Sequence, residues 1–323
     1  LGLNAQQMRL LERSYRDYVT SGALLNEAQK AEIKRINGEL SVAYTEFSRR
    51  VLADEETAII IDNEADLAGL PDSFKASLAE EAKARGQAGK WAVKNTRSSM
   101  QPFLMYATNR ALREKVYNAY INRGDNGGAT DNNAIISKIL KLRVERAKLL
   151  GYKTHAHWRL ENAMAKTPEN AMALMEAVWT PAIAQVAIDV ADMQAIIDKE
   201  GGGFKLEPWD YRYYAEKVRK AKYDLDMNEV KPYLEITNVL ENGVFYAANQ
   251  LYGLTFKKRI DIPVYHPDVT VYTVYDQDGS ELALFYFDPW KRDNKSGGAW
   301  MSNFVDQNGL TGTKPVVFNV ENF

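Results

Sequence analysis

The side chains with most chemical reach are few. The chain has three histidines, His155, His157 and His266, and no cysteine. His155 and His157 stand two apart in YKTHAHWRL. On a strand such a pair faces one way and could share a metal ion; on a helix the two rings diverge. The sequence that follows, ENAMAKTPENAMALMEAVW, reads as helix, so the pair belongs to a loop-to-helix junction and is not expected to hold metal. His266 precedes Pro267 and should face solvent or a cap. A hydrolytic zinc site takes three N, O or S ligands and leaves one position open for water. HExxH on a helix supplies two of those ligands with a glutamate base between them, and that pattern is absent. Carboxylates are plentiful, yet no spacing singles out an acid–base pair. A GxSxG elbow, a Walker loop and a dinucleotide fingerprint are missing too. These residues define no catalytic centre and no metal site.

A second stretch has chemistry of another kind: LALFYFDPWKRDNKSGGAWMSNFV near the C-terminus. Asp288 and Pro289 break a strand-like apolar run. Lys291, Arg292 and Lys295 make a charged turn. Gly297 and Gly298 then lead into a second extended piece. A peptide can add to an exposed sheet edge through main-chain hydrogen bonds, and glycine keeps side chains out of its way. Gly297, Gly298, Ala299 and Trp300 are the candidate substrate-binding residues on that chemistry. The alternative for the same residues is a structural glycine bend beside a buried tryptophan. Arg292 and Lys295 are the best candidates for structural ion pairs.

The elements that must position these residues are mostly helices. Leu10, Leu11, Tyr15 and Tyr18 recur near the 3.6-residue period after the first few residues. Asn26 and Gln29 have capping-box spacing ahead of a long helix carrying Ile33, Ile36, Leu40, Ala43, Tyr44, Phe47 and Val51. These stripes are expected to face a core. The tripeptide Arg123-Gly124-Asp125 reads as a helix terminus followed by a polar loop. Thr167 and Pro168 begin another helix, which Pro181 should kink or restart and Gly201–Gly203 end. Its methionines, and Met164 before it, read as soft core filling. Asp210 is placed to cap the helix that starts at Tyr211. After Gly253 the period changes to two: VYTVYDQDGSELALFYF is a hairpin around Asp276–Gly279. The expected architecture is mainly α, a helical body over residues 1–253 and a small antiparallel β-sheet module over 254–323. KPVVFNVENF reads as a last strand, expected to need a partner from a longer polypeptide.

Composition excludes several classes. A chain of 323 residues can bury a large core. Its net charge of −2 gives no basic footprint for nucleic acid or an anionic membrane. Without cysteine there is no disulfide framework and no thiolate chemistry. No unbroken apolar run of about 18 residues stands out as a membrane span. The first residues, LGLNAQQMRLLERSY, carry no signal-peptide pattern.

The order D-x3-R-x2-K-x-G-G-A-W followed by KPVVFNV resembles the M3 family of zinc metallopeptidases, especially its peptidyl-dipeptidases. LSVAYTEFSRRVL and PWDYRYYAEKVRKAKYDLD extend the resemblance over nearly the whole chain. It implies a neurolysin-like zincin fold, with the helix after Asp210 in one wall of an active-site channel. It implies short unstructured peptides as substrates, and it favours the substrate-edge reading of Gly297–Trp300. In this family an HExxH helix follows the segment matching Val316–Phe323. Zinc, its ligands and the base that activates water would then come from remaining segments of the same polypeptide, and this chain alone would be inactive. A bacterial cytoplasmic or periplasmic location is expected. The competing class is a non-enzymatic helical peptide-binding or assembly protein.

Overall fold

The computed structural model describes residues 2–224, 227–293 and 295–323. Leu225 and Asp226, at the end of the PWDYRYY segment, and Asn294, in the charged turn, lie outside the described residues. In chain order the elements are α1 (Ala5–Thr20), α2 (Glu27–Glu55), β1 (Ala58–Ile61), α3 (Asp72–Ala84), β2 (Trp91–Lys94), α4 (Arg97–Tyr106), α5 (Arg110–Ile121), α6 (Asn133–Leu149), α7 (His155–Leu160) and α8 (Pro168–Lys199). There follow α9 (Tyr211–Tyr223), α10 (Met227–Val230), α11 (Ile236–Asn238), a π-helical turn at Val239–Phe245 and α12 (Tyr246–Tyr252). The strands β3 (Thr255–Arg259), β4 (Thr270–Tyr275), β5 (Glu281–Asp288), β6 (Trp300–Val305) and β7 (Val316–Val320) complete the chain. Two compact units form: residues 1–57 with 117–206, and residues 58–116 with 207–323.

In the first unit α2 starts as its sequence requires. Asn26 Oδ1 accepts the Gln29 N–H at 2.9 Å, and Gln29 Oε1 accepts the Asn26 N–H at 3.1 Å. Both amides belong to the first-turn donors that a helix cannot satisfy internally. Ile36, Leu40 and Ala43 of α2 pack on Ile139 and Leu142 of α6, flanked by Tyr44, Phe47 and Ile135. Each such side chain contributes about 1.5–3 kcal/mol when fully buried. Helix α8 opens with Thr167 Oγ1 accepting the Asn170 N–H, and it continues through Pro181 as one 32-residue helix.

Other stripes in this unit do not reach a core. Leu10, Tyr15 and Tyr18 of α1 are 67%, 61% and 71% exposed. Of the methionines read as core filling, Met193 is buried, while Met164, Met172 and Met175 are exposed. Helix α8 is long and apolar enough to cross a membrane by length and composition alone. Glu169, Glu176, Asp189 and Asp192 break its apolar run, and so no continuous span showed in the sequence.

The second unit holds both sheets. The β1 and β2 strands pair antiparallel. The larger sheet has the order β3-β4-β5-β7-β6. The β4–β5 hairpin forms with Tyr275 opposite Glu281. The sheet is mixed rather than wholly antiparallel, because β5 and β7 run parallel, Leu284 opposite Val316. The chain lays β6 down at the rim and returns to insert β7 between β5 and β6. Both edges of β7 are therefore paired, and the last strand takes its partners from within the chain.

Asp210 stands at the N-cap position of α9 but its carboxylate is used elsewhere. Fully buried, it accepts Arg110 Nη2 at 2.9 Å, Arg113 Nη2 at 2.7 Å and the Glu207 N–H at 3.2 Å. Arg113 is itself 1% exposed and donates also to the Ala107 carbonyl at 2.8 Å. Removing one member of a buried ion set strands the other charge, at about 3–5 kcal/mol. Asp210→Ala should therefore lose about 3–5 kcal/mol in urea unfolding of the chain. Arg35→Ala, in a solvent-exposed network with Glu32, Glu39 and Glu145, should lose less than about 1 kcal/mol. Equal losses at the two sites would refute the burial argument.

Candidate functional site

The turn between β5 and β6 is built on one carboxylate. Asp288, at the end of β5, has a side chain 2% exposed. Its oxygens accept Arg292 Nη1 at 2.6 Å and Nη2 at 2.8 Å, a two-pronged contact, with Lys295 Nζ at 3.0 Å and the Tyr265 hydroxyl at 3.0 Å. Lys295 Nζ also donates to the carbonyls of Asp288 and Trp290, at 2.9 and 2.7 Å. Burial would push the Asp288 carboxyl up, but its bonds from Arg292, Lys295 and Tyr265 together hold it down at about 2. The Tyr265 phenol is pushed up to about 12, by burial first and then by its bond to Asp288. The Arg292 guanidinium is held above its ordinary range by the hydrogen bond to Asp288. The carboxylate is thus a fixed anion, and the D-x3-R-x2-K spacing is a closed knot.

More distant groups pin the same turn. Lys94 of β2 forms an ion pair with Asp293. The residues after β7 fold back on it: the Glu321 N–H donates to the Asp288 carbonyl at 2.8 Å, and the Phe323 N–H to the Pro289 carbonyl at 3.0 Å. The Asn322 amide donates to the carbonyls of Ser296 and Gly298.

Gly297, Gly298 and Ala299 emerge exposed from this knot. Gly298 has φ +106°, which L side chains rarely adopt, and no heavy atom lies within 4 Å of where a Cβ would sit. Glycine is required here by the backbone and not by crowding. Trp300, opposite Val320, begins β6 and is 42% exposed. The buried tryptophan of the structural-bend alternative is therefore not found. All six residues of β6 are exposed, and among the described residues no strand pairs its outer edge. Sequence reasoning anticipated ion pairs for Arg292 and Lys295 but took Asp288 only as a strand breaker. The spacings of four and seven residues were the available signal. Tyr265, Lys94 and Asn322 join from far along the chain and carried no local signal.

The histidines are accounted for without metal chemistry. Thr154 caps α7, accepting the His157 N–H and bonding its ring Nδ1 at 2.8 Å. His155 begins α7. Burial, then the charges of Arg143, Arg146 and Arg159, push its imidazole below the usual range. Three guanidiniums around a ring repel a divalent cation. In the other unit, His266 Nδ1 accepts the Asp268 N–H at 3.3 Å, a local cap. No cluster of three or more metal-binding side chains exists among the described residues. These residues do not fit a catalytic zinc.

Two further features are structural. In Arg123-Gly124-Asp125, Arg123 pairs with Glu55 at 2.6 Å and the Gly124 N–H donates to the buried Asp54 carboxylate at 2.7 Å. Asp125 accepts from Asn133. Every member of the tripeptide is committed to the loop. A cavity of about 100 Å³ lined by Arg16, Thr20, Trp158, Arg159 and Glu161 is smaller than the roughly 300 Å³ at which ligand pockets begin.

The model of Peptidase family M3 matches residues 103–323. Dipeptidyl carboxypeptidase of Escherichia coli is 42% identical over 324 residues, covering 100% of this chain and 48% of that protein. The Salmonella typhimurium dipeptidyl carboxypeptidase is 41% identical with the same coverage. Oligopeptidase A of Salmonella typhimurium is 34% identical over 329 residues, 99% of this chain and 48% of that protein. The chain spans about half the length of these curated relatives. With the family model covering two-thirds of the sequence and the relatives aligned along nearly all of it, this chain belongs to peptidase family M3.

Proposed function

We propose that this chain is part of a longer zinc-dependent peptidyl-dipeptidase or oligopeptidase that acts on short unstructured peptides. In that reading it supplies a channel wall and the strand on which the peptide lies. The observation that carries the proposal is β6, a rim strand exposed along its length that begins at Trp300 directly after Gly297-Gly298-Ala299, the turn before it being tied to a buried ion knot. The names of the relatives, dipeptidyl carboxypeptidase and oligopeptidase A, support peptides as the substrate class.

Within this reading the work of the chain is binding and orientation. The outer N–H and C=O groups of β6 take an extended peptide as an added strand, a recognition that tolerates many sequences because it reads backbone. Gly297 and Gly298 leave the approach open. Trp300, at the start of the strand, offers an aromatic face to a substrate side chain. M3 peptidases are zinc enzymes, and this chain's residues do not hold the metal. Its ligands and the general base belong to remaining segments of the same polypeptide.

Three outcomes test this reading. The 323-residue chain by itself should neither retain stoichiometric zinc by metal analysis nor cleave a quenched peptide. The complete protein should do both and lose cleavage to a chelator. A complete protein that binds peptides without turnover would instead be a non-enzymatic peptide-binding protein.

In the complete protein, Gly298→Val should lower kcat/KM roughly tenfold or more. That corresponds to about 1.4 kcal/mol, the worth of one or two main-chain hydrogen bonds. Zinc content and the circular dichroism spectrum serve as controls, because valine is strained at φ +106°. A folded, zinc-loaded variant with parental kcat/KM would make the strand structural only.

The Asp288 knot should appear in the pH dependence of stability. Its folded pKa, about 2, lies below the ordinary aspartate value of about 3.9. The interaction therefore stabilises fully above about pH 4 and fades as pH falls from there through about 2. Asp288→Asn should cost about 2–3 kcal/mol at neutral pH, and the gap to the parent should narrow below about pH 4. A gap independent of pH between neutral and pH 3 would show that the carboxylate's charge is not what stabilises the turn.

A further inference from the structure

Helix α8 breaks the usual rule for helices in water. From Met172 to Ile188 every residue is exposed, and Glu176 is the one charged side chain among those seventeen. Leu174, Val178, Trp179 and Ile183 are each more than half exposed. The C-terminal part of the same helix is anchored: Met193 and Ile197 are buried, and Gln194 bonds the Phe204 carbonyl and the Leu206 N–H, both at 2.9 Å. A helix apolar on all sides is stable only when covered, by protein or by lipid.

The whole chain shows the same deficit. It exposes 20656 Å². Two independent globular bodies of half its 36.5 kDa would together expose roughly 16,000 Å². The excess, on the order of 4,000 Å², does not depend on how the two units are arranged. It exceeds a standard protein–protein interface of about 1,200–2,000 Å². Large exposed apolar side chains also occur on α1, α12 and β6, for example Leu10, Leu251 and Phe304. These surfaces fall on both units.

Lipid fits poorly. In a membrane span tryptophan sits at the interfaces and basic residues flank the ends. Here Trp179 lies mid-helix, Pro181 and Gln185 follow it, and the apolar stretch runs into Asp189 and Asp192. Polypeptide of the right amount is implied by the relatives, each about twice the length of this chain.

We infer that the Met172–Ile188 stretch of α8 is a core helix of the complete protein, covered by the apolar faces of the remaining segments of the same polypeptide. The inference rests on the proposal that the complete protein is longer than this chain. It adds which surface receives the remainder.

Hydroxyl-radical footprinting of the complete protein tests it, since Met172, Met175 and Trp179 are fast-reacting reporters on the bare stretch. Close-packed interiors exclude the oxidant, so these side chains should oxidise at least roughly tenfold more slowly in the folded protein than in the same protein unfolded in urea. That protection should persist across a wide dilution series and without lipid. A smaller protection factor would leave the helix bare and overturn the inference. Protection lost on dilution would assign the cover to a second copy, and protection seen only with phosphatidylglycerol vesicles would assign it to a membrane; either overturns it. Peptidase activity is read separately. A complete protein that cleaves peptides while these three residues stay reactive refutes the docking surface and leaves the proposed function standing.

Discussion

A buried carboxylate is the constraint on which the sheet module depends. Asp288 closes β5 inside the sheet, where an unpaired ion would cost several kcal/mol. Arg292 brings two parallel bonds, Lys295 a third, and Tyr265 a hydroxyl. Meeting those four demands ties Tyr265, Arg292 and Lys295 to the end of β5. Lys295 further ties up the carbonyls that the turn leaves behind, at Asp288 and Trp290. The rim strand therefore leaves from a rigid base. A mobile loop at this point would have to be ordered each time a peptide added to the edge, and that entropy would be subtracted from binding.

The mixed topology follows from the same base. Once β6 is laid at the rim, the next strand can pair with β5 only by entering between them, which sets β7 parallel to β5. The tail then returns to the turn through Glu321, Asn322 and Phe323. Few of these contacts are local in sequence. The hairpin at Asp276–Gly279, the Asn26–Gln29 capping box and the Thr167 cap were legible because each depends on residues three or four apart. The knot was half legible: Arg292 and Lys295 looked like ion-pair formers, but their partner was read only as punctuation. The insertion of β7 was not legible at all, since periodicity shows that a segment is a strand and says nothing of its neighbours. Asp210 misled in the same way. It has the position of a cap, but Arg113 is buried nearby and competes for its carboxylate with far more free energy at stake.

The stripes of α1 and the methionines of α8 show the opposite limit. Their spacing predicts an apolar face correctly, and that face is on the helix. Periodicity cannot supply the body that covers it. The candidate site shares this limit: glycine chemistry and resemblance single out Gly297–Trp300, whereas the exposure of Trp300 goes with β6 being outermost in the strand order.

The two bare surfaces differ in what they offer. Helix α8 has satisfied its own backbone, so only side chains remain for contact. Their attraction is non-directional and grows with area, which suits a large, permanent cover. Strand β6 has one edge paired and, among the described residues, the other open, so it offers directional donors and acceptors. Each of those main-chain hydrogen bonds nets only about 0.5–1.5 kcal/mol against water. In the proposed role a few of them would hold a short peptide and also release it. An open strand edge is an aggregation hazard in most proteins and is usually blunted by charge or proline. From Trp300 to Val305 there is neither. In the proposed role, a channel wall that admits only unfolded chain would limit what can reach this edge.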